Sequence, residues 1–367
     1  MKIKTLLITV ALLAVLSAAA YLANRPQAAP PADPRVGKPL LDSATATRAA
    51  TISISDKGKK VELARAADGA WRVASYYDLP ADFDKISHIV QDLNEAKVDR
   101  FVTSSPGRLA HMEFADSVIA LGDASGKDVW SVTFGRTPES GNGKFIRFGR
   151  EPAAFFSVMH VWLDTDAKGW ADARLVTLKA DDVAKVEIAL EGEPPVTASR
   201  AKKDAPWSAQ APAGRKLAAD KVASLVSTLA SLRFSDTTAV NDPSAVEASR
   251  HMRAFKLTTF DGKTLTVALG RKPEEKKPKA PAPAAPAAAP AAQPAPAAPA
   301  SAKDETKPAE PESETIPAGP VFASIASSDP RAPINELMKK RAFQVDDYTF
   351  TGLPQKAEEL FEPEKGK

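Results

Sequence analysis

Two stretches of this chain alternate apolar and polar residues and then end on the same string: Ser131-Val-Thr-Phe-Gly-Arg-Thr-Pro-Glu139 and Thr266-Val-Ala-Leu-Gly-Arg-Lys-Pro-Glu274, about 135 residues apart. Alternation with period two is the mark of a half-buried strand. The same pattern runs through Thr51–Ser55 and Val61–Arg65, joined at Asp56–Lys59, and then passes Asp68-Gly69 into Trp71-Arg-Val73. Three short strands with tight turns predict a meander. Ile86, Ile89, Val90 and Leu93 next fall at i, i+3, i+4 and i+7, which predicts a helix with one apolar face. Asp82 or Asp84 suits its N-terminal cap, where a carboxylate accepts from free backbone N–H groups. After a loop around Ser105-Pro-Gly107, strands are predicted at Ser117–Leu121, Asp128–Phe134 and Lys144–Phe148, and a helix over Pro152–Trp162.

The second half repeats this order. Val183–Leu190 and Val196–Arg200 read as strands, Pro206-Trp207-Ser208 stands where Trp71 stood, and Val222, Leu225, Val226, Leu229 and Leu232 repeat the helical face. Phe255–Phe260 and Leu265–Leu269 repeat the later strands. A self-similarity of this length predicts one module written twice. The copies part after Gly-Arg-x-Pro-Glu. The first turns at once, through Thr137–Gly143; the second runs through an Ala/Pro-rich stretch to Pro320. That composition cannot bury a core, so residues 273–318 read as a disordered insertion within one hairpin. Gly319–Ile325 would then return to pair with Leu265–Leu269. Ile334–Phe343 reads as a short helix equivalent to Phe155–Trp162.

The N-terminus adds a different element. Lys2 and Lys4 precede about 19 uncharged residues, Thr5–Ala23. As a helix these span roughly 28 Å, close to the hydrocarbon thickness of a bilayer. The basic start places that end in the cytoplasm, so a single-pass signal anchor is expected, with the bulk of the chain facing the periplasm. Ser17-Ala-Ala-Ala20 leaves open the alternative of signal cleavage and secretion to the periplasm. The expected organisation is α+β: a signal anchor or transmembrane helix (1–25), a Pro-rich spacer (26–47), module 1 (48–178), module 2 (179–350) and a charged tail (351–367). Each module mixes short antiparallel strands with one or two helices.

Composition narrows the chemistry. Lys+Arg number 49 against Asp+Glu 46, with the signs interspersed, unlike the one-sided basic stripe of a nucleic-acid binder. The absence of cysteine removes disulfides, thiolate chemistry and Cys-ligated zinc. His88, His111, His160 and His251 have no acidic or histidine neighbour at a convincing ligand spacing. Asp164-Thr-Asp166 starts like a calcium loop but lacks the later Gly and the closing Glu, so a solvated loop is expected. Ser140-Gly-Asn-Gly143 lacks the Lys-Ser/Thr and helix of a phosphate loop. No catalytic residue, metal or cofactor is expected. The candidates for ligand or partner contact are Trp71, Trp207, Arg136 and Arg271, because they recur. Gly135 and Gly270 are expected to supply an unusual backbone angle or a bulge at a strand end.

Trp71-Arg-Val73, Ala219-Asp-Lys221, Asp261-Gly-Lys263, Phe134-Gly-Arg136 and Leu269-Gly-Arg271 together resemble a bacterial family known as domain of unknown function 4340. The resemblance covers most of residues 48–350. Two departures stand out: His111-Met112 and His251-Met252 replace the usual Gly-Leu before the middle strands, and the Ala/Pro insertion is extra. Members often lie beside genes for an ABC-type transporter and its gliding-motility-like auxiliary subunit. The resemblance therefore implies a non-enzymatic, inner-membrane-anchored accessory or scaffold of a transporter complex, and it offers no catalytic residues to carry over. Alternatives are a periplasmic module binding a glycan or envelope polymer, and an uncharacterised hydrolase.

Overall fold

A computed structural model describes residues 33–139, 141–159, 161–278 and 313–363, with residues 14, 15 and 17. The stretch Thr5–Ala23 falls outside the described residues but for those three, as do residues 279–312 of the Ala/Pro tract. Among the described residues no helix is long and apolar enough to cross a membrane. The fold is mixed α+β, with antiparallel sheets and few helices, and divides into two compact units at Asp172/Ala173.

Unit 1 is built on a nine-stranded sheet: β1 (Thr51–Asp56), β2 (Lys59–Arg65), β3 (Trp71–Val73), β4 (Leu79–Pro80), β5 (Arg100–Thr103), β6 (Val118–Gly122), β7 (Asp128–Phe134), β8 (Lys144–Phe148) and β9 (Ala154–Ser157). Their spatial order is β4-β3-β2-β1-β6-β7-β8-β9-β5, antiparallel throughout. The β1–β2 hairpin turns on Lys57 and Gly58, both at positive φ, which suits the twist of the flanking strands. Ile52, Ile54, Val61, Leu63, Ile119, Leu121 and Val132 alternate into the core. Beside the sheet lie the helices α1 (Ser43–Arg48), α2 (Phe83–Glu95) and α3 (Pro106–Ala110). In α2, Ile86, Ile89 and Leu93 are buried, and the Asp82 carboxylate accepts from the backbone N–H of Asp84 (3.1 Å) and Lys85 (3.3 Å).

Two expectations for this half need correction. Pro152–Trp162 is not a helix. Ala154–Ser157 is a strand, buried at every position and laid between β8 and β5. A short apolar run covered on both faces has no period to betray it. Nor do residues 26–47 form a free spacer throughout, because from Asp33 the chain is seamed to unit 1. Gly37 N–H donates to the Val98 carbonyl (2.7 Å), Leu40 N–H to Ala96 (2.8 Å) and Leu41 N–H to Leu93 (3.1 Å), and both leucines are buried. Trp130 Nε1 donates to the Leu40 carbonyl at 3.0 Å. Arg35 lies over the rings of Phe155 (4.5 Å) and Phe148 (5.3 Å) and pairs with Asp33 (2.9 Å) and Glu151 (2.8 Å). Pro34 sits in a turn closed by Val36 N–H on the Asp33 carbonyl (3.0 Å), a second turn follows through Lys38 N–H on Arg35 (2.9 Å), and Leu40-Leu41 supply the apolar surface that holds the segment down.

Unit 2 carries an eight-stranded sheet: β10 (Val183–Ala189), β11 (Val196–Ser199), β12 (Ser208–Ala209), β14 (Asp236–Ala239), β15 (Met252–Thr259), β16 (Thr264–Gly270), β19 (Val321–Ser327) and β20 (Arg341–Val345). The order is β12-β11-β10-β15-β16-β19-β20-β14. Two ribbons stand beside it, β13 (Arg215–Leu217) with β21 (Phe361–Pro363) and β17 (Glu275–Pro278) with β18 (Ser313–Ile316). The helices are α4 (Ala219–Ala230), α5 (Pro243–Ala248), α6 (Pro333–Lys340) and α7 (Asp347–Thr351). β19 lies antiparallel to β16, Ile325 opposite Val267, so the Ala/Pro tract leaves and re-enters within one hairpin whose base is the β17–β18 ribbon.

Ile334–Phe343 is only partly helical. α6 stops at Lys340, and Phe343 is fully buried in β20. Residues 351–367 are not simply a tail either: Leu353, Leu360 and Phe361 are buried, Ala218 N–H donates to the Leu360 carbonyl (2.9 Å), and β21 pairs with β13. The many charges between these apolar residues hid them.

Two outcomes follow from this packing. Leu360→Ala should lower unfolding free energy by about 2–5 kcal/mol, the usual range for a buried leucine, read by denaturant titration; a change below ~0.5 kcal/mol would return these residues to the status of a tail. The hydrogen bond from Arg35 holds the Asp33 carboxyl below the usual carboxylate range. A depressed folded value adds stability above the unfolded value, lost as pH falls through the folded one. Asp33→Asn should therefore destabilise at neutral pH, and its deficit should shrink as pH drops below about 4, in melting curves recorded across pH.

Candidate functional site

The Gly-Arg corners are the natural place to look for a site. Neither Gly135 nor Gly270 has positive φ. What each provides is room. A Cβ on Gly270 would sit 2.5 Å from the Ala248 carbonyl oxygen and 2.7 Å from that of His251; one on Gly135 would press on the Met112 carbonyl and lie 3.1 Å from the Phe114 ring. In both units a backbone segment crosses the strand end so closely that only hydrogen fits. The expected unusual angle is thus replaced by a steric reason.

The arginines that follow are held differently. Arg136 is exposed; its Nε donates to the His111 carbonyl (2.8 Å), its backbone N–H to Met112 (2.9 Å), and its guanidinium lies 5.9 Å from the Phe145 ring. Arg271 is half-buried, pairs with Asp347 and lies 5.2 Å from the Phe350 ring. Arg253 lies over the same ring at 4.2 Å, and burial, helped by the neighbouring Arg271 charge, pulls its pKa below the ordinary guanidinium value while Glu359 opposes. A ring between two guanidiniums offsets part of their repulsion through its negative face. Arg271 and Asp347 lie 76 residues apart in sequence, which is why no local pattern announced the pair.

Trp71 and Trp207 do not join these corners. Trp71 opens β3 half-exposed, and Trp207 is buried under Arg200 at 4.7 Å. Within unit 1, β2, β1 and β6 separate Trp71 from the end of β7; within unit 2, β11, β10 and β15 separate the start of β12 from the end of β16. At about 4.8 Å per strand each tryptophan stands ~19 Å from its arginine. Arg200 itself was missed from the sequence. It donates to three carbonyls, Val183 (2.8 Å), Lys203 (2.8 Å) and Ala180 (2.7 Å), and so closes the loop before Trp207.

Asp164 and Asp166 form a self-contained loop. Lys85 Nζ meets Asp164 Oδ2 at 2.5 Å and the Gly169 carbonyl at 2.9 Å, and Lys168 N–H donates to Asp166 at 3.2 Å. Trp170 is buried there, 4.9 Å from the ammonium. Among the described residues no His/Cys/Asp/Glu group has metal-binding geometry. His88 and His111 are exposed, and His251 Nε2 lies 3.9 Å from Glu247 at the surface of unit 2. His160 lies outside the described residues.

The units therefore define a class of β-rich α+β proteins whose repeated residues hold strand ends in place. Residues 71–250 match the family described as Domain of unknown function (DUF4340), and through this span the chain belongs to it. The match begins at β3 and ends just past α5. Neither a curated protein nor a solved structure matches the chain.

Gly135→Ala and Gly270→Ala should each cost about 1–3 kcal/mol as overpacking at a backbone contact. Gly107→Ala, in open space on α3, should be neutral or stabilise by up to ~1 kcal/mol. Thermal melts of the three variants decide it; equal effects at all three sites would contradict the close-approach argument.

Proposed function

We propose that this chain is a non-enzymatic, membrane-anchored envelope protein, an accessory or scaffold component of a membrane transporter complex, built from two copies of one module. The duplication is supported by strand order: β3-β2-β1-β6-β7-β8-β9-β5 in unit 1 has the same succession as β12-β11-β10-β15-β16-β19-β20-β14 in unit 2. Register agrees too, with Ile119 opposite Val132 and Phe255 opposite Val267. The transporter partner comes from the resemblance to the family and from no contact in the fold.

One observation carries the scaffold reading: the seam from Asp33 to Leu41. A module meant to move freely on a linker gains nothing from nine residues of chain fastened across it. A module held at a fixed attitude to an anchor does, because ordering that backbone costs about 1–2 kcal/mol per residue and the Arg35 and Leu40-Leu41 contacts offset it. The duplicated glycines and arginines serve the same end, holding strand ends together.

The test is affinity purification of the full chain from membranes solubilised in mild detergent. The chain is expected in the membrane fraction, with its N-terminal residues intact, and to bring down integral membrane proteins. A soluble chain beginning near Tyr21, or recovery without any membrane partner, would refute the anchored-scaffold reading.

A further inference from the structure

Two surfaces of opposite character remain. In unit 1, Trp162 is 84% exposed and Phe83 60% exposed. Each stands two residues before a member of the Lys85–Asp164 pair, which ties their two backbone segments into one rim at the start of α2. The rim is acidic: residues 77–85 and 162–168 carry five aspartates and two lysines, and Asp84 and Asp166 are exposed. A tryptophan this exposed loses apolar hydration surface only when something covers it.

In unit 2, α6 has the complementary character. Ile334, Leu337 and Met338 fall at i, i+3 and i+4, on one face. The helix packs beside β19 and β20, yet none of the three is fully buried. Residues 329–341 carry four basic and two acidic side chains, with Lys339 and Lys340 exposed in the last turn. Unit 1 has only the turn of residues 149–153 at the corresponding place between β8 and β9.

We propose that the acidic aromatic rim of unit 1 docks on the basic, half-covered face of α6 in a second copy of this chain. Charge complementarity selects that occupant: a carboxylate-rimmed pair of rings meets an aliphatic helix face ending in two lysines. The two patches are different surfaces of one chain, so the contact is head-to-tail and repeats from copy to copy, as a closed ring or an open array. The area of one short helix places it among weak, salt-sensitive associations. It does not rest on the transporter reading, since it needs only purified chain, and a membrane pull-down without partners leaves it standing.

The experiment is light scattering on the full chain in mild detergent. At low salt the mass should rise with protein concentration, and it should fall back toward the monomer as salt is raised. Asp84→Lys/Asp166→Lys and Lys339→Glu/Lys340→Glu should each abolish the rise. Mixing the two variants should restore it, because each then meets an opposite charge. Trp162→Ala, which changes no charge, should weaken association at every salt concentration and covers the case in which a charge reversal disturbs folding. A mass independent of concentration, variants that associate like the parent chain, or a mixture that stays monomeric would overturn the proposal.

Discussion

The close pass of backbone over Gly135 and Gly270 is the constraint on which each sheet depends. The segment that crosses there ends at Met112 in unit 1 and at His251 in unit 2, and it directs the chain from a short helix into the middle of the sheet. A side chain at the glycine would lift that segment and shift the strand that follows it. Antiparallel register is unforgiving of such a shift, because a slip of one residue turns the buried face outward. Ile119, Leu121, Phe255 and Leu257, all buried, stand directly after the crossing. The arginine next to each glycine then fixes the corner, through the His111 carbonyl in one unit and through Asp347 in the other. The same backbone problem has been met with two different partners.

Most of the strands were legible because one face of each sheet is wetter than the other. Thr51–Asp56, Asp128–Phe134 and Thr264–Gly270 alternate visibly, and the apolar spacing of Ile86–Leu93 and Val222–Leu229 locates α2 and α4. Among the strands that escaped are β9, whose four residues are all buried and so carry no alternation, and the short edges β5 and β14, which owe their conformation to the neighbour they pair with. β20 was mistaken for the end of a helix because α6 runs into it without a break. The candidate site was legible only as recurrence. Gly-Arg repeats because strand ends repeat, and the contacts that give Arg271 its surroundings, Phe350 and Asp347, lie about 80 residues downstream.

The edges of the folded region were the least legible. Leu40-Leu41 at one end and Leu353, Leu360 and Phe361 at the other are isolated apolar residues among prolines and charges. Composition averages such residues away, whereas burial depends on where each one lands. Arg35 illustrates the point: a single basic residue in a Pro-rich stretch becomes the clasp between two rings and two carboxylates.

The β17–β18 ribbon brings the two ends of the Ala/Pro tract together, with Glu275 opposite Ile316 and Pro278 opposite Ser313. Whatever lies beyond Pro278 starts and finishes at one doorway. The entropy of closing such a loop grows only with the logarithm of its length, and the ladder residues bear that cost before it can reach β16 and β19. The tract can therefore lengthen or shorten over evolutionary time with little effect on the sheet beneath it, which makes its span a freely adjustable property of an otherwise tightly specified domain.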